Sequence, residues 1–506
     1  MPGVSFSRVA QQQRHLLQGQ TNCTILVRGH RAFMAGRYPL KVVRDATSYY
    51  VEGFMFSPAY RRRIWDGKKH FFDVKTSSLP AGLATTVEAA LREYDPTGVV
   101  RLVDETLAQM PITGNHGFDL HGIQFGVGAF DYQLAAANSL VRGRRGVLKI
   151  ATNGGKTEIS IAVTKHLALP TLFLVDGISL LTQTRKRYAK RLGIQEDEIG
   201  LIGDSKFSIG PWITIATPDS LGPRMALPEV QEALGRWQVV WFDECHHVAA
   251  ETFYDVASAI PAYYRFGLSG TPLDRADGAD LRLLACTGPV LYEVPNKLLI
   301  ERGISVQPFV EMIKVHSPIL PAKGVTWSQV EAAGVVGNPY INEAAAAKAI
   351  EHGSAGKQVL ILVEKKKQAK LIMELLAGKA ESTTDWLANR KKHKLKVEFL
   401  SGPDSGEARE QALDRFRAGA TRIIVATTIL DEGVDVPNID VLILAAGGKG
   451  KIRLLQRVGR GLRVGVGKNK LLIIDFANFC HPWLLQHSLA RLRTYKAEEC
   501  FMISAA

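Results

Sequence analysis

Long apolar runs, paired cysteines and internal repeats are all missing from this 506-residue chain. No uninterrupted apolar stretch approaches the roughly 20 residues that a membrane-spanning helix needs. The opening MPGVSFSRVAQQQRHLL also lacks the apolar segment of a signal peptide, so a cytoplasmic protein with no membrane partner is expected. Five cysteines (Cys23, Cys245, Cys286, Cys480, Cys500) show neither CxxC spacing nor a neighbouring His cluster, which argues against a zinc framework or a disulfide scaffold. His30, His70 and His121 likewise lack ligand-like spacing. No period of about 20 to 50 residues recurs, so a solenoid is excluded.

What the chain does contain is the composition of a folded soluble protein, 46% hydrophobic and 22% charged, long enough for two or three domains. Its formal charge of +14 comes from 63 Lys and Arg against 49 Asp and Glu. An excess of that size favours polyanionic partners through counterion release, although solubility alone is also served by it.

Residues 1–115 form a mixed region whose distinctive stretch is Phe-Met-Phe-Ser-Pro-Ala-Tyr-Arg-Arg-Arg-Ile-Trp-Asp-Gly-Lys-Lys-His, positions 54–70. Alternation over 49–56 predicts a strand, Asp66-Gly67 a turn, and Phe71-Phe72-Asp73-Val74 a returning strand. Tyr60 and Trp65 among Arg61, Arg62, Arg63, Lys68 and Lys69 suit a surface meeting phosphates and stacked bases, or equally a solvated basic loop. After a Gly-rich connection at 114–128, buried-type strands alternate with helical sequence, at 147–150, 171–175, 213–216 and 239–242. After the segment 294–310 a second such series follows, at 359–363, 397–400, 423–427, 441–444 and 471–475. Positions 483–495 read as a terminal helix packing back on the domains. The expected boundaries are therefore 1–115, 116–295, 296–480 and 481–506.

The chemistry begins where the strand Val147-Leu148-Lys149-Ile150 runs through Ala151-Thr152-Asn153-Gly154-Gly155-Lys156-Thr157 into a helix. Such a turn offers backbone N–H groups and a helix N-terminus to phosphates, Lys156 adds a cation, and the Thr157 hydroxyl can ligate Mg²⁺. The strict phosphate-loop pattern fails at its first glycine, which is Ile150, and Asn153 also departs from glycine. About 90 residues on, Val239-Val240-Trp241-Phe242 ends in Asp243-Glu244-Cys245-His246. Read alone, that acidic pair suits an ordinary helix start; paired with Lys156 and Thr157 it becomes a set for Mg²⁺-nucleotide hydrolysis. Leu268-Ser269-Gly270-Thr271-Pro272, then positions 427–437, then Gln456-Arg457-Val458-Gly459-Arg460-Gly461-Leu462-Arg463 complete the series, the last supplying arginines for a γ-phosphate.

Five motifs in this order resemble those of the superfamily 2 helicases of the DExH kind, across residues 130–465. Residues 56–67 and 79–83, with the helix at 483–495, are further similar to the phage UvsW-type branched-DNA helicases. The resemblance implies an α/β fold of two tandem RecA-like domains, parallel sheets flanked by helices, preceded by a small α+β N-terminal DNA-binding domain. It implies an ATP- and Mg²⁺-dependent DNA helicase, monomeric and in the host cytoplasm, that regresses forks, migrates Holliday junctions and unwinds D-loops and R-loops, with branched and single-stranded DNA as partners. A duplex translocase without strand separation, a non-catalytic clamp for branched DNA and an RNA helicase are the rival readings.

Carried over residue by residue, Lys156, Asp243, Glu244, Gln456, Arg460 and Arg463 would be catalytic, with Glu244 the base. Thr157 and Asp243 would hold Mg²⁺. Nucleotide would meet Tyr132, Gln133, Asn153, Gly154, Gly155, Lys156, Thr157, Gly433 and Asp435. DNA would meet Arg61, Arg62, Arg63, Trp65, Lys68, Lys69, Thr182, Gln183 and Thr427. Ser269, Thr271 and His246 would couple hydrolysis to domain closure, His246 through Gln456, while Cys245 packs under the strand end.

Overall fold

The computed structural model describes residues 21–112, 118–273, 278–378, 395–401, 406–427, 439–448, 450–465 and 468–505. The chain divides into two compact units, Met1–Ile150 with Gly155–Val294, and Ala151–Gly154 with Pro295–Ala506.

The first unit is built on an eight-stranded sheet in the order Lys206–Ser208, Gly200–Gly203, Ile213–Ala216, Thr171–Leu174, Val239–Phe242, Tyr264–Ser269, Arg145–Ile150, Val290–Val294. All neighbours are parallel except the edge strand Lys206–Ser208. The inner strands are buried along their whole length, which is why they read as continuous apolar runs rather than as alternation. Parallel order brings their C-terminal ends to one edge, so the turns after Ile150, Leu174, Phe242 and Ser269 share a rim.

An N-terminal four-stranded sheet, ordered Ser78–Pro80, Arg31–Arg37, Asn22–Arg28, Val99–Asp104, packs with the helix Ala84–Tyr94 in the same unit. It is locked to the larger sheet's helix Asp280–Thr287 at Gly82, where a Cβ would stand 2.1 Å from the Leu284 carbonyl oxygen. Phe71 meets Tyr254 edge-on at 5.8 Å. Arg265, fully buried, donates to the carbonyls of Ala257, Ile260 and Cys286, so this cation is satisfied by backbone rather than by a carboxylate.

The strand expected over 49–56 is shorter, and its partner differs. Ser48–Tyr50 pairs antiparallel with Lys68–His70 rather than with 71–74. Gly53 at φ 72° breaks the extended chain, Phe54–Phe56 winds into a 3₁₀ turn, and Pro58 opens the short helix Pro58–Arg61. The segment expected to separate the two series is itself built of regular elements. Val290–Val294 is the last strand of the first sheet, Asn296–Glu301 is a helix, and Gln307–Val315 is an interior strand of the second.

The second unit holds a seven-stranded, all-parallel sheet: Val397–Leu400, Ile423–Ala426, Val359–Leu362, Val441–Leu444, Lys470–Asn478, Gln307–Val315, Met502–Ala505. The terminal helix Pro482–Ala497 is pinned to it from within. Buried Asp475 accepts from Arg491 Nε at 2.9 Å and from the Tyr495 hydroxyl at 2.8 Å. Among the described residues no helix is long and apolar enough to cross a membrane.

Burial, aided by the Arg265 and Arg31 cations, lowers the His30 pKa from 6.5 to about 4. The unfolded chain therefore binds a proton that the folded chain refuses between those values. The stability from neutral His30 is complete above pH 6.5 and lost as pH falls through 4. Thermal unfolding between pH 4 and 7 should show this slope, and His30→Gln should flatten it.

Candidate active site

Three of the rim turns converge on one ion pair. The helix Lys156–Leu167 begins directly after Gly155, and Lys156 Nζ donates to Glu244 Oε1 at 2.7 Å. Glu244 follows the strand Val239–Phe242 and adopts φ 41°, the left-handed region, at a cost of about 1–3 kcal/mol for a residue with a side chain. Its second oxygen, Oε2, lies 3.5 Å from His246 Nδ1. The same ring nitrogen is 3.0 Å from Ser269 Oγ, which also accepts from the Thr271 N–H at 3.1 Å. A continuous polar chain thus runs Lys156, Glu244, His246, Ser269, Thr271 across the ends of neighbouring strands.

Electrostatics separate the two carboxylates. Burial and the adjacent Glu244 charge raise Asp243 to about 6, against the pull of Lys156. For Glu244, burial is outweighed by Lys156 and His246, and its pKa falls below the ordinary carboxylate range. Burial also opposes the Lys156 charge, but Glu244 and Asp243 overcome it and its pKa rises. Lys156 and Glu244 thus each favour the other's charged form, while the Glu244 charge works against ionisation of Asp243.

The turn before Lys156 is shaped by a residue from a different element. Gly155 sits at φ 78°, and a Cβ there would stand 2.1 Å from Gln133 Nε2. Gln133 and Tyr132 open the helix Tyr132–Gly143, and both are buried. Within the second unit, Asn153 at φ 76° accepts from Arg463 Nε at 2.9 Å, and its amide lies 3.3 Å from the Gly459 carbonyl oxygen. Gly154 closes the turn with its N–H on the Ala151 carbonyl at 3.1 Å. The Asn153 departure from glycine is thereby accounted for, since its side chain accepts from and donates to that segment.

Mg²⁺ is the ion these residues fit. Among the described residues no group of three His, Cys, Asp or Glu could hold a metal by itself. Magnesium needs only one or two protein oxygens, with water and phosphate supplying the rest, and the Thr157 hydroxyl and Asp243 carboxylate are such donors.

The remaining expected residues fall elsewhere. Arg61, Arg62, Arg63 and Lys69 are exposed, and Lys68 and Trp65 are half-buried. Trp65 Nε1 donates to the Lys68 carbonyl at 2.8 Å, so its polar edge closes a turn. Thr182 and Gln183 lie one turn into the helix Ile178–Leu192, and Thr427 is buried after the strand Ile423–Ala426. Gly433 and Asp435 lie outside the described residues, as do the side chains of Gln456 and Arg460. Cys245 is fully buried, and a Cβ on Gly267 of the next strand would come within 2.9 Å of its sulfur. Two contacts had no mark in the sequence reading: His247 Nε2 with Asp176 Oδ2 at 3.2 Å, and the Gln133 amide against Gly155. Asp176 does follow a buried strand, the one signal that could have drawn attention to it.

A lysine at a helix start, an ionised glutamate bound to it and a neighbouring aspartate, on the rim of one of two tandem parallel sheets, define a RecA-like nucleotide-using motor. The chain belongs to the superfamily 2 helicases. Residues 127–274 match the family described as the type III restriction enzyme res subunit, and residues 342–465 the helicase conserved C-terminal domain. It is similar to the DNA 3'-5' translocase XPB2 of Sulfurisphaera tokodaii, 26% identical over 66% of this chain and 78% of that protein. It is also similar to the ATP-dependent DNA helicase uvsW of Enterobacteria phage T4, 22% identical over 90% of this chain and 93% of that one. Two further helicase relatives are spanned over only 64% and 50% of their length. The fold is shared with a fragment of a putative HsdR subunit of a type I restriction enzyme from Vibrio vulnificus, with a TM-score of 0.51, 19% identity, and coverage of 74% of this chain and 68% of that one.

Gly155→Ala should weaken binding of a fluorescent ATP analogue about tenfold, from the left-handed strain and the Gln133 overlap together. Titration of the wild-type and variant proteins with the analogue checks it.

Proposed function

We propose that this chain is an ATP- and Mg²⁺-dependent DNA helicase that remodels branched DNA: forks, Holliday junctions, D-loops and R-loops. The observation that carries this reading is that the similarity to the T4 helicase covers 90% of the chain, more than the motor domains alone. The ion pair of Lys156 with Glu244 supports the hydrolytic part, and the charge of +14 supports a polyanionic track.

In this reading Lys156 holds the β- and γ-phosphates, its remaining N–H donors free to turn from Glu244 to phosphate. Thr157 and Asp243 would hold Mg²⁺, which would supply positive charge against that building on the phosphates. Glu244, once released by Lys156, orients and deprotonates the attacking water. Gln456, Arg460 and Arg463 act from the second domain on the γ-phosphate, and Gly433 with Asp435 links nucleotide to the bound strand. Tyr132 and Gln133 contact the base; His246, Ser269 and Thr271 relay the state of Glu244 to the neighbouring strand. Thr182, Gln183 and Thr427 grip the phosphodiester backbone. Arg61, Arg62, Arg63, Trp65, Lys68 and Lys69 meet DNA near the branch. Residues 1–115 act as the DNA-binding domain, 116–295 and 296–480 as the motor domains, and 481–506 as their C-terminal brace.

A second reading, a duplex translocase that does not separate strands, is favoured by the restriction-subunit match and the translocase relative. Phosphate release with and without DNA, alongside strand separation on a fork, a Holliday junction, an R-loop and plain duplex, decides between them. DNA-stimulated hydrolysis with no strand separation on any substrate would favour the translocase; no hydrolysis at all would remove both.

Glu244→Gln should bind ATP and DNA yet hydrolyse at least about a hundredfold more slowly, as expected for loss of a general base. Replacing Arg61, Arg62 and Arg63 by Ala should lower affinity for forks more than for single strands and reduce the salt dependence of fork binding, read by anisotropy titrations at two salt concentrations. Equal loss on both DNAs would overturn the assignment of these arginines to the branch.

A further inference from the structure

Asp176 and His247 take no part in the hydrolytic set, yet their contact joins two segments of the first unit that carry different tasks. Asp176 stands just beyond the strand Thr171–Leu174, and His247 stands shortly after Val239–Phe242. These strands are parallel neighbours, so both residues come to the same rim, where Asp176 Oδ2 lies 3.2 Å from His247 Nε2. On the His247 side is the catalytic turn. His247 belongs to the 3₁₀ turn Cys245–Ala249, its N–H donates to the Glu244 carbonyl at 3.0 Å, and its ring centroid is 4.1 Å from that of His246. His246 in turn lies 3.5 Å from the Glu244 carboxylate.

On the Asp176 side is the helix Ile178–Leu192, which carries Thr182 and Gln183. Between them stands only Gly177, at φ 100° and ψ 150°, a conformation essentially confined to glycine, while a Cβ there would meet nothing within 4 Å. Glycine is therefore required at that point for backbone direction and not for space. It turns the chain from the strand end into the helix in one step and leaves Asp176 beside the helix start. An aspartate in such a place ordinarily caps the helix, but no side-chain hydrogen bond caps this one, and the carboxylate reaches His247 instead. Stability does not explain the pair either. The Asp176 and His247 side chains keep 35% and 33% of their surface exposed, and a contact so open to water adds little to folding.

We propose that Asp176 and His247 are positioning residues that hold the start of the helix Ile178–Leu192 to the catalytic turn, so that DNA seated on Thr182 and Gln183 sets the Glu244 carboxylate in its hydrolytic position. This rests on the reading of the chain as a DNA-dependent motor and adds the contact through which strand binding accelerates hydrolysis. The route runs from Asp176 through His247 and His246 to Glu244, and does not pass through Ser269 or Thr271.

The test measures ATP hydrolysis by the full chain with and without single-stranded DNA. Asp176→Ala and His247→Ala should each lower the DNA-stimulated kcat about fivefold, the scale of losing one link between coupled sites. The rate without DNA, the KM for ATP, the affinity for single-stranded DNA and the melting temperature should stay at wild-type values. Combining the two substitutions should slow the stimulated rate no further than either alone, because both side chains act through one contact. Asp176→Asn, which keeps an acceptor for His247, should retain most of the stimulation. Wild-type stimulation in both single variants would overturn the proposal, as would a combined loss equal to the product of the two, or an equal fall in the rate without DNA. A wild-type chain whose hydrolysis DNA does not stimulate would remove the motor reading and this contact's role with it, so the two failures are distinguishable.

Discussion

The contact between Lys156 and Glu244 is the constraint on which the rest of the first unit turns. It joins the start of one helix to the end of a strand two positions away in the sheet, and it forms only because parallel order brings both C-terminal ends to the same rim. Two half-buried charges of opposite sign tolerate that position because each is the other's partner. The left-handed backbone at Glu244 is one further cost of aiming its carboxylate at the lysine.

From that pair the polar chain continues to His246, Ser269 and Thr271, so Glu244 is joined by polar contacts to the turn after the adjacent strand. On the other side, Gln133 fills the space that a side chain at Gly155 would need. The phosphate turn is therefore held from both flanks by residues far away in sequence. The same unit holds the N-terminal sheet through close packing at Gly82 and the rings of Phe71 and Tyr254. The N-terminal sheet is thus attached to the eight-stranded sheet by close packing rather than by a linker alone.

Much of the site was legible because its pieces are local. Gly155-Lys156-Thr157 after an apolar run, and Asp243-Glu244 after another, each carry strand, turn and chemistry within about ten residues, and buried parallel strands read as unbroken apolar runs. The N-terminal tip was less legible. Alternating aromatics at 49–56 suggested one long strand, but Gly53 and Pro58 divide it, and Phe54 stacks on Tyr50 while Phe56 faces solvent. The edge and interior strands at 290–294 and 307–315 were missed, since a strand with charged or proline positions is recognised by its neighbours more than by its pattern.

Composition, motif order and spacing by themselves determined the class of protein: two parallel sheets, a phosphate turn, an acidic strand end and an arginine-bearing helix, in that order. These are properties of short segments, and backbone geometry ties each to a chemical role wherever it occurs. Only the tertiary structure decided which oxygen of Glu244 meets Lys156, that Gln133 lies against Gly155, that His246 faces Ser269, and that Trp65 turns its polar edge into a loop while Phe56 and Ile64 face solvent. Those facts depend on contacts between residues far apart in sequence and on which side of a turn is already filled, and no local pattern of side chains encodes either.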